Sequence, residues 1–205
     1  MNKILIHGLG QDASSWKQTV SKMEKKNEVV CLELLSTLEG KEVNYPNLYH
    51  AFSDYCDSVN EKLDLCGLSL GAVLALKYAT EHPQKIHSLV LIAGQYKMPK
   101  LLLKMQNIIF RLMPKAVFDK IGLTKRDALK LTRSMMTIDL TDNLKKVVCP
   151  TLILCGEQDK TNRKSAIEMH RCIETSEIQF IQNAKHEVNM DVPAELAKIL
   201  NDFYR

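Results

Sequence analysis

The chain has 205 residues, which fits one domain and suffices to bury a substantial core without disulfide bonds or a structural metal. Hydrophobic residues make up 45% and charged residues 25%, a composition that is typical of soluble globular proteins and excludes a disordered, collagen-like or coiled-coil chain. The formal net charge of +4 is too small to indicate nucleic-acid binding in the absence of a basic motif.

Neither the N-terminus nor the cysteines indicate secretion. The apolar run that begins at Lys3 is too short for a signal peptide, and no stretch approaches the roughly 20 apolar residues of a membrane-spanning helix. The six cysteines lie mostly inside apolar runs and form no C-x-x-C pair, which predicts buried free thiols rather than disulfides, a zinc site or a redox motif. We therefore expect a cytoplasmic protein without a bound metal.

Short apolar segments rich in β-branched residues alternate with segments of helical periodicity. In chain order, strands are predicted at 3–7, 28–34, 63–67, 88–93, 150–155 and 177–182, and helices at about 14–26, 48–62, 71–82, 161–173 and 193–204. Nearly continuous hydrophobic strands separated by helices indicate a parallel sheet with both faces covered. The predicted fold class is therefore α/β, with a mainly parallel, doubly wound sheet of about six strands.

Residues 95–140, called the 95–140 segment below, break this alternation and show only helical patterning. The segment carries ten basic and three acidic residues, a local net charge of +7, so the whole positive excess of the chain lies there. Its stretch 101–113 places Lys104, Asn107 and Arg111 on one narrow stripe of a helix and mostly apolar residues elsewhere. Such a wide apolar face is usually core, and the alternatives are a wall of an apolar pocket or a surface that contacts lipid.

The motif Gly67-Leu68-Ser69-Leu70-Gly71 stands between a predicted strand and a predicted helix, which is the setting in which G-x-S-x-G carries chemistry. A serine in such a tight turn projects its hydroxyl from the sheet edge, and its neighbours must be small because strand and helix come close together. The helix N-terminus also directs N–H groups toward an anion formed beside Ser69. Ser69 is therefore predicted to be a nucleophile; the alternative is a glycine-flanked serine that only caps the helix.

A serine nucleophile needs a base, and the base needs an orienting acid. His186 is the best base among the six histidines, because it lies in a loop directly after the last predicted strand and can reach over the carboxyl edge of the sheet. The other five are interpreted as structural or surface residues: His7, His50, His82, His87 and His170.

The orienting acid is predicted in the turn that follows the strand at 150–155. Asp159 would place its carboxylate beside the loop of His186, and Glu157, which is closer to the strand, is the second choice. The chain order Ser69, Asp159, His186 is the order found in nucleophile-elbow scaffolds.

Four motifs in this order resemble the α/β-hydrolase superfamily over nearly the whole chain. They are His7-Gly8-Leu9-Gly10 with Trp16 downstream, the elbow around Ser69, the turn Gly156–Asp159, and His186 followed by Asp191-Val192-Pro193. The resemblance implies that the backbone N–H groups of Leu9 and Leu70 form an oxyanion hole. It also implies one hydrolase domain over residues 1–205 with a helical cap insertion at about 95–140, and a sheet that lacks the two leading strands common in the family.

These assignments predict a serine hydrolase, a carboxylesterase that works through an acyl-serine intermediate without a metal or an organic cofactor. A cap rich in Leu, Ile, Met and Phe favours a small or medium apolar acyl substrate. Two alternatives stay open. The same scaffold could run other chemistry, as a C–C hydrolase, an elimination catalyst or synthase, or an amide or thioester hydrolase, or the protein could be a non-catalytic ligand binder.

The expected partner is a small molecule, and neither nucleic acid nor stable membrane insertion is expected. The positive charge of the 95–140 segment leaves three interpretations open: weak contact with a lipid surface, attraction of anionic substrates, or solvated lysines.

Overall fold

A six-stranded sheet forms the centre of the computed structural model, which describes residues 3–119 and 122–205. The strands are β1 (Lys3–Ile6), β2 (Val29–Leu32), β3 (Leu63–Leu68), β4 (Ile86–Ile92), β5 (Thr151–Gly156) and β6 (Ser176–Ile181). All neighbouring strands are parallel, in the order β2-β1-β3-β4-β5-β6. The predicted fold class, an α/β protein with a parallel sheet of about six strands, is confirmed.

Helices cover both faces of this sheet because successive strand residues point to opposite sides. The helices are α1 (Lys17–Val20), α2 (Tyr45–Ser58), α3 (Leu70–Glu81), α4 (Lys100–Leu112), α5 (Lys115–Asp119), α6 (Lys125–Ser134), α7 (Lys160–Cys172), α8 (Val188–Asp191) and α9 (Pro193–Phe203). Ile4 and Ile6 of β1 join a buried cluster with side chains of α2, α3 and α7. Leu5 joins a second cluster with Trp16 and with side chains of α9. The chain therefore has one apolar core on each side of the sheet.

The helix predicted over 14–26 is shorter than expected. A 3₁₀ turn over Ala13–Trp16 leads into α1, which ends at Val20. The chain then turns, and the N–H of Glu24 donates to the side chain of Asn201 at 3.0 Å. This tertiary contact with α9 replaces the helical hydrogen bonds that the periodicity alone predicted.

The cysteines are free thiols, as expected, but not all are buried. Four are buried, Cys31 is half-buried and Cys172 is exposed. Burial raises the pKa of the Cys66 thiol well above its ordinary value, so Cys66 stays protonated in the core.

The 95–140 segment leaves and rejoins the sheet at a single point between β4 and β5. Lys97 and Asp139 form an isolated antiparallel bridge, flanked by the hydrogen bond from the N–H of Leu140 to the carbonyl of Tyr96 at 2.8 Å. Their side chains also form an ion pair, with 2.7 Å between Nζ of Lys97 and Oδ2 of Asp139. The two ends of the 95–140 segment are therefore joined to each other, and the helices α4, α5 and α6 lie between them in the chain.

Helix α4 exposes most of its apolar face to solvent. The interpretation of this face as core is therefore wrong. The side chains that are more than half exposed are Leu101, Met105, Ile108, Ile109 and Leu112. The helix packs instead through Leu103 and Asn107, which are buried, and the side-chain oxygen of Asn107 accepts a hydrogen bond from Thr132 of α6. Within the described residues, no helix has the length and apolar content needed to cross a bilayer.

Helix α3 lies unusually close to the sheet at two glycines. A Cβ atom at Gly71 would lie 2.3 Å from the carbonyl oxygen of Ile6, and one at Gly67 would lie 2.3 Å from the carbonyl oxygen of Gly71. Both contacts would be with backbone, which cannot move aside as the end of a side chain can. The junction of β3 and α3 therefore requires glycine at both positions, one at the end of the strand and one in the first turn of the helix.

We expect Gly71→Ala to lower the free energy of unfolding by about 3 kcal/mol or more, because the new methyl group overlaps the backbone of β1. Urea denaturation monitored by circular dichroism measures this loss. Gly10→Ala is the control: that glycine has a φ of +91°, but a methyl group there would meet no atom within 4 Å beyond its chain neighbours, so the change costs only backbone strain of roughly 1–2 kcal/mol. Equal losses in the two variants would contradict the steric argument.

Asp139 is expected to titrate at an acidic pH. Hydrogen bonds from Lys97 and Thr141 lower the pKa of its carboxyl to about 2 from the ordinary value of 3.8. A lowered pKa means that this carboxylate stabilises the closed base of the 95–140 segment above pH 3.8, and that the contribution is lost as the pH falls toward 2. A carboxyl-detected NMR titration measures the value. Lys97→Ala should raise the pKa of Asp139 toward 3.8, and an unchanged pKa would contradict the assignment.

Candidate active site

Ser69 occupies a sharp turn between β3 and α3. Its φ of +53° lies in a region that residues other than glycine rarely adopt, so the turn is strained. Two backbone hydrogen bonds hold it: the N–H of Ser69 donates to Ile92 at 2.9 Å, and its carbonyl accepts from Val73 at 3.1 Å. The strain is therefore supported by β4 on one side and by the first turn of α3 on the other.

His186 lies within hydrogen-bond distance of Ser69, with 3.0 Å between Nε2 and Oγ. It comes from the loop between β6 and α8, and its side chain is half-buried. Two features position this loop. The carboxylate of Asp191 accepts the N–H of Lys185 at 2.7 Å, and Gly156 leaves room for the loop, since a Cβ there would lie 2.1 Å from the carbonyl oxygen of Lys185.

Asp159 lies behind the imidazole, with 2.9 Å between its Oδ2 and Nδ1 of His186. The carboxylate is buried and caps the N-terminus of α7, where its Oδ1 accepts the N–H of Asn162 at 3.2 Å. Burial raises the pKa of this carboxyl, but hydrogen bonds from His186 and Asn162 outweigh burial and hold the pKa below its ordinary value. Asp159 is thus an anion that can only accept, so Nδ1 of His186 carries the hydrogen of this contact and Nε2 is the nitrogen that faces Oγ of Ser69.

Asn162 is a residue of this site that the sequence analysis missed. Its Nδ2 donates to Oδ2 of Asp159 at 2.7 Å, and its Oδ1 accepts from the side chain of Gln95 at 2.6 Å. Nδ2 also lies 3.1 Å from Nδ1 of His186, and because both nitrogens direct hydrogens at the same carboxylate oxygen, this contact is one of packing. The signal was available: an Asp at the N-cap of a helix lies beside the residue three positions later.

The loop after β1 brings Leu9 next to the elbow. A Cβ atom at Gly8 would lie 3.4 Å from Cβ of Ser69, and Leu9 and Leu70 line the same pocket as Ser69. Neither the N–H of Leu9 nor that of Leu70 has an acceptor among the described residues. The buried His7 supports the loop, since its Nδ1 contacts the carbonyl oxygen of Gly8 at 2.9 Å and its Nε2 accepts the N–H of Leu34 at 3.2 Å.

Glu157, the second choice for the acid, is exposed and makes no contact with His186. The five remaining histidines do not reach Ser69. His87 belongs to a second group of Ser, His and Asp at the amino-terminal ends of β3 and β4, where Asp64 lies 2.7 Å from His87 and 2.5 Å from Ser88. Both side chains contact the carboxylate and not each other, so this second group has no serine hydroxyl paired with a base.

Ser69 lines a pocket of about 430 Å³ that lies between the carboxyl edge of the sheet and the 95–140 segment. This volume lies within the range of small-molecule sites. Most of its lining is apolar, namely Leu9, Leu70, Val73, Ala93, Met98, Pro99, Leu103, Met105, Ile109 and Met135. Among the described residues, no group of three or more His, Cys, Asp or Glu side chains is arranged to hold a metal ion.

The whole chain is similar to proteins of two kinds. A monoacylglycerol lipase of Mus musculus (ABHD6) is 21% identical, and the alignment covers 98% of this chain and 74% of the lipase. A protein of Bacillus subtilis (strain 168) with the provisional name 2-succinyl-6-hydroxy-2,4-cyclohexadiene-1-carboxylate synthase is 20% identical, over 98% of this chain and 89% of that protein.

The fold is also similar to that of solved structures. In a study of carboxylesterases from Nitrososphaera gargenis, a crystal structure superposes with a TM-score of 0.84 at 19% identity, covering 99% of this chain and 89% of that one. The model of the alpha/beta hydrolase family matches residues 4–199. The strained elbow, the parallel sheet and this match agree, and the chain belongs to the α/β-hydrolase family.

Proposed function

We propose that this protein is a serine hydrolase that cleaves carboxylic esters of small or medium apolar substrates through an acyl-serine intermediate. The observation that carries the proposal is the hydrogen-bonded chain from Oγ of Ser69 to Nε2 of His186, 3.0 Å, and from Nδ1 of His186 to Asp159, 2.9 Å. A nucleophile, a base and an orienting acid in this order are the machinery of acyl transfer.

In the first half of the reaction, His186 takes the proton of Ser69 as Oγ bonds to the acyl carbon of the ester. The carbonyl oxygen becomes an oxyanion, and we assign its binding to the N–H groups of Leu9 and Leu70, which have no acceptor among the described residues. Losing one such donor typically costs about 3–4 kcal/mol of transition-state stabilisation. The C–O bond then breaks, and the alcohol leaves with the proton from His186.

In the second half, water attacks the acyl-serine while His186 accepts a proton from the water. The acid leaves, and Ser69 recovers its hydroxyl proton from His186. The anionic Asp159 stabilises the imidazolium that forms in each half, and it can do so at neutral pH because its pKa is lowered.

The lining of the pocket favours an uncharged, apolar substrate. Ser69, His186, Asp159 and Asn162 line one side of the pocket, and the side chains that line it from the 95–140 segment are mostly apolar, with Gln95, Gln106 and Thr132 as the polar exceptions. Burial of acyl methylene groups against Met98, Leu103 and Met135 would contribute about 0.8 kcal/mol for each group that becomes fully buried. The substrate range should therefore be set by the length of the acyl chain that the pocket can enclose.

A synthase is the second candidate function, and the similarity to the Bacillus subtilis protein is what favours it. The name of that protein describes a carboxylate product. A carboxylate in a pocket needs a cationic partner, and no Lys or Arg occurs among the described residues that line this pocket. The apolar lining therefore favours ester hydrolysis.

Ser69→Ala should abolish covalent labelling by a fluorophosphonate probe and lower kcat for p-nitrophenyl butyrate by several orders of magnitude, because no other described hydroxyl contacts Nε2 of His186. Labelling is measured on a gel and kcat by absorbance.

Ser88→Ala is the matched control, since Ser88 belongs to the second Ser, His and Asp group and should label as the wild type does. Folded wild-type protein that is not labelled would indicate a ligand binder. A labelled protein that is inactive on esters of every chain length would favour the synthase.

Asn162→Ala should lower kcat by about 10–100-fold with KM little changed, because a hydrogen bond to a charged carboxylate contributes roughly 1.5–3 kcal/mol. The backbone N–H that caps α7 is retained in this variant. Asn47→Ala serves as the control, since that distant side chain donates only to a carbonyl of Glu42. A loss confined to KM would show that Asn162 contacts substrate rather than positioning Asp159.

A further inference from the structure

Helix α4 presents an apolar stripe to solvent. The stripe consists of Leu101, Met105, Ile108, Ile109 and Leu112, which are between 55% and 81% exposed. The spacing of three and four residues places all five on one side of the helix. Single exposed apolar residues are ordinary on a protein surface, but a contiguous group of large ones indicates a surface that binds something.

Basic residues border this stripe. Lys100, Lys104 and Arg111 follow the same helix at positions adjacent to the stripe and are exposed, and none of them forms an ion pair with a described residue. The sequence from Gln95 to Phe118 contains no Asp or Glu. An amphipathic helix with an apolar face and a basic margin is the arrangement that binds in the plane of an anionic lipid surface.

The same charge distribution argues against a second copy of the chain as the occupant. In a symmetric dimer the same patch meets itself. The basic residues around the stripe would then meet a surface whose own helix offers no carboxylate to pair with them. An anionic membrane supplies the missing negative charge together with an apolar interior.

The stripe is continuous with the pocket. Met105 and Ile109 belong to both, since they line the pocket beside Ser69 and are also 55% exposed. An acyl chain that leaves a lipid surface under α4 would therefore pass along apolar side chains and would not have to cross water to reach the pocket.

We propose that α4 docks this protein on anionic lipid membranes, with the apolar stripe entering the headgroup region and Lys100, Lys104 and Arg111 contacting lipid phosphates. The docking does not depend on the proposed hydrolysis, because it uses a surface outside the Ser69, His186 and Asp159 group. Docking through α4 would turn the side of the pocket lined by Met105 and Ile109 toward the membrane.

The test is flotation with vesicles of phosphatidylcholine alone and of phosphatidylcholine mixed with phosphatidylglycerol. The wild type and Ser69→Ala should both float with the anionic vesicles, and high salt should release them because it screens the charges. Ile108→Ser/Leu112→Ser, which lies outside the pocket lining, should reduce binding by about tenfold or more. Lys104→Glu/Arg111→Glu should reduce it by at least about fivefold for each cation.

The matched control is Lys62→Glu/Val148→Ser, which changes one exposed cation and one exposed apolar residue just before β3 and β5, at the opposite edge of the sheet. It should bind as the wild type does. Circular dichroism shows whether each variant is folded. Because flotation measures binding and not activity, the result does not depend on whether the protein hydrolyses esters.

Three results of the flotation test would overturn the proposal. They are no binding to anionic vesicles, equal binding to neutral and anionic vesicles, and unchanged binding of the two α4 variants. A concentration-dependent dimer in sedimentation velocity that is lost in Ile108→Ser/Leu112→Ser would assign the face to a second copy instead.

Discussion

The close approach of backbone segments at the carboxyl edge of the sheet is the constraint on which the rest of this structure depends. Gly71 lets the start of α3 contact β1, and Gly156 lets the loop of His186 contact the end of β5. A Cβ at either glycine would lie within 2.3 Å of a backbone carbonyl oxygen, so the segments would have to move apart. The 3.0 Å contact between Ser69 and His186 therefore rests on two positions that have no side chain and take no part in chemistry.

The packing around Ser69 holds its backbone in the strained conformation. Helix α3 is buried along nearly its whole length, and the strands on both sides of β3 are parallel and apolar. A core of this kind tolerates a residue at an unfavourable φ because the surrounding contacts determine the turn. The polar groups of the site then lie at the rim of a rigid apolar body, where Asp159 can be buried and still accept three hydrogen bonds.

The parallel sheet could be predicted from the sequence because its strands are short, apolar and separated by helical periodicity. That Ser69, Asp159 and His186 lie close together could be predicted because each belongs to the segment after a strand, and the carboxyl ends of parallel strands lie at one edge of the sheet. Asn162 was missed because Asp159 was considered only as the partner of His186 and not also as the N-cap of α7, which brings the residue three positions later to the same carboxylate. For α4 the sequence left three interpretations open, namely core, pocket wall and exposed surface, since periodicity identifies an apolar face but does not say what covers it.

The bridge between Lys97 and Asp139 separates two parts of the chain that differ in how far their structure can change. On the sheet side, the four inner strands β1, β3, β4 and β5 are buried along nearly their whole length. On the far side of the bridge, loops and helices can be lengthened, shortened or exchanged, because both ends remain joined at the same place whatever lies between them. Selectivity for new molecules can therefore arise there by insertion or deletion while the reacting groups keep their alignment.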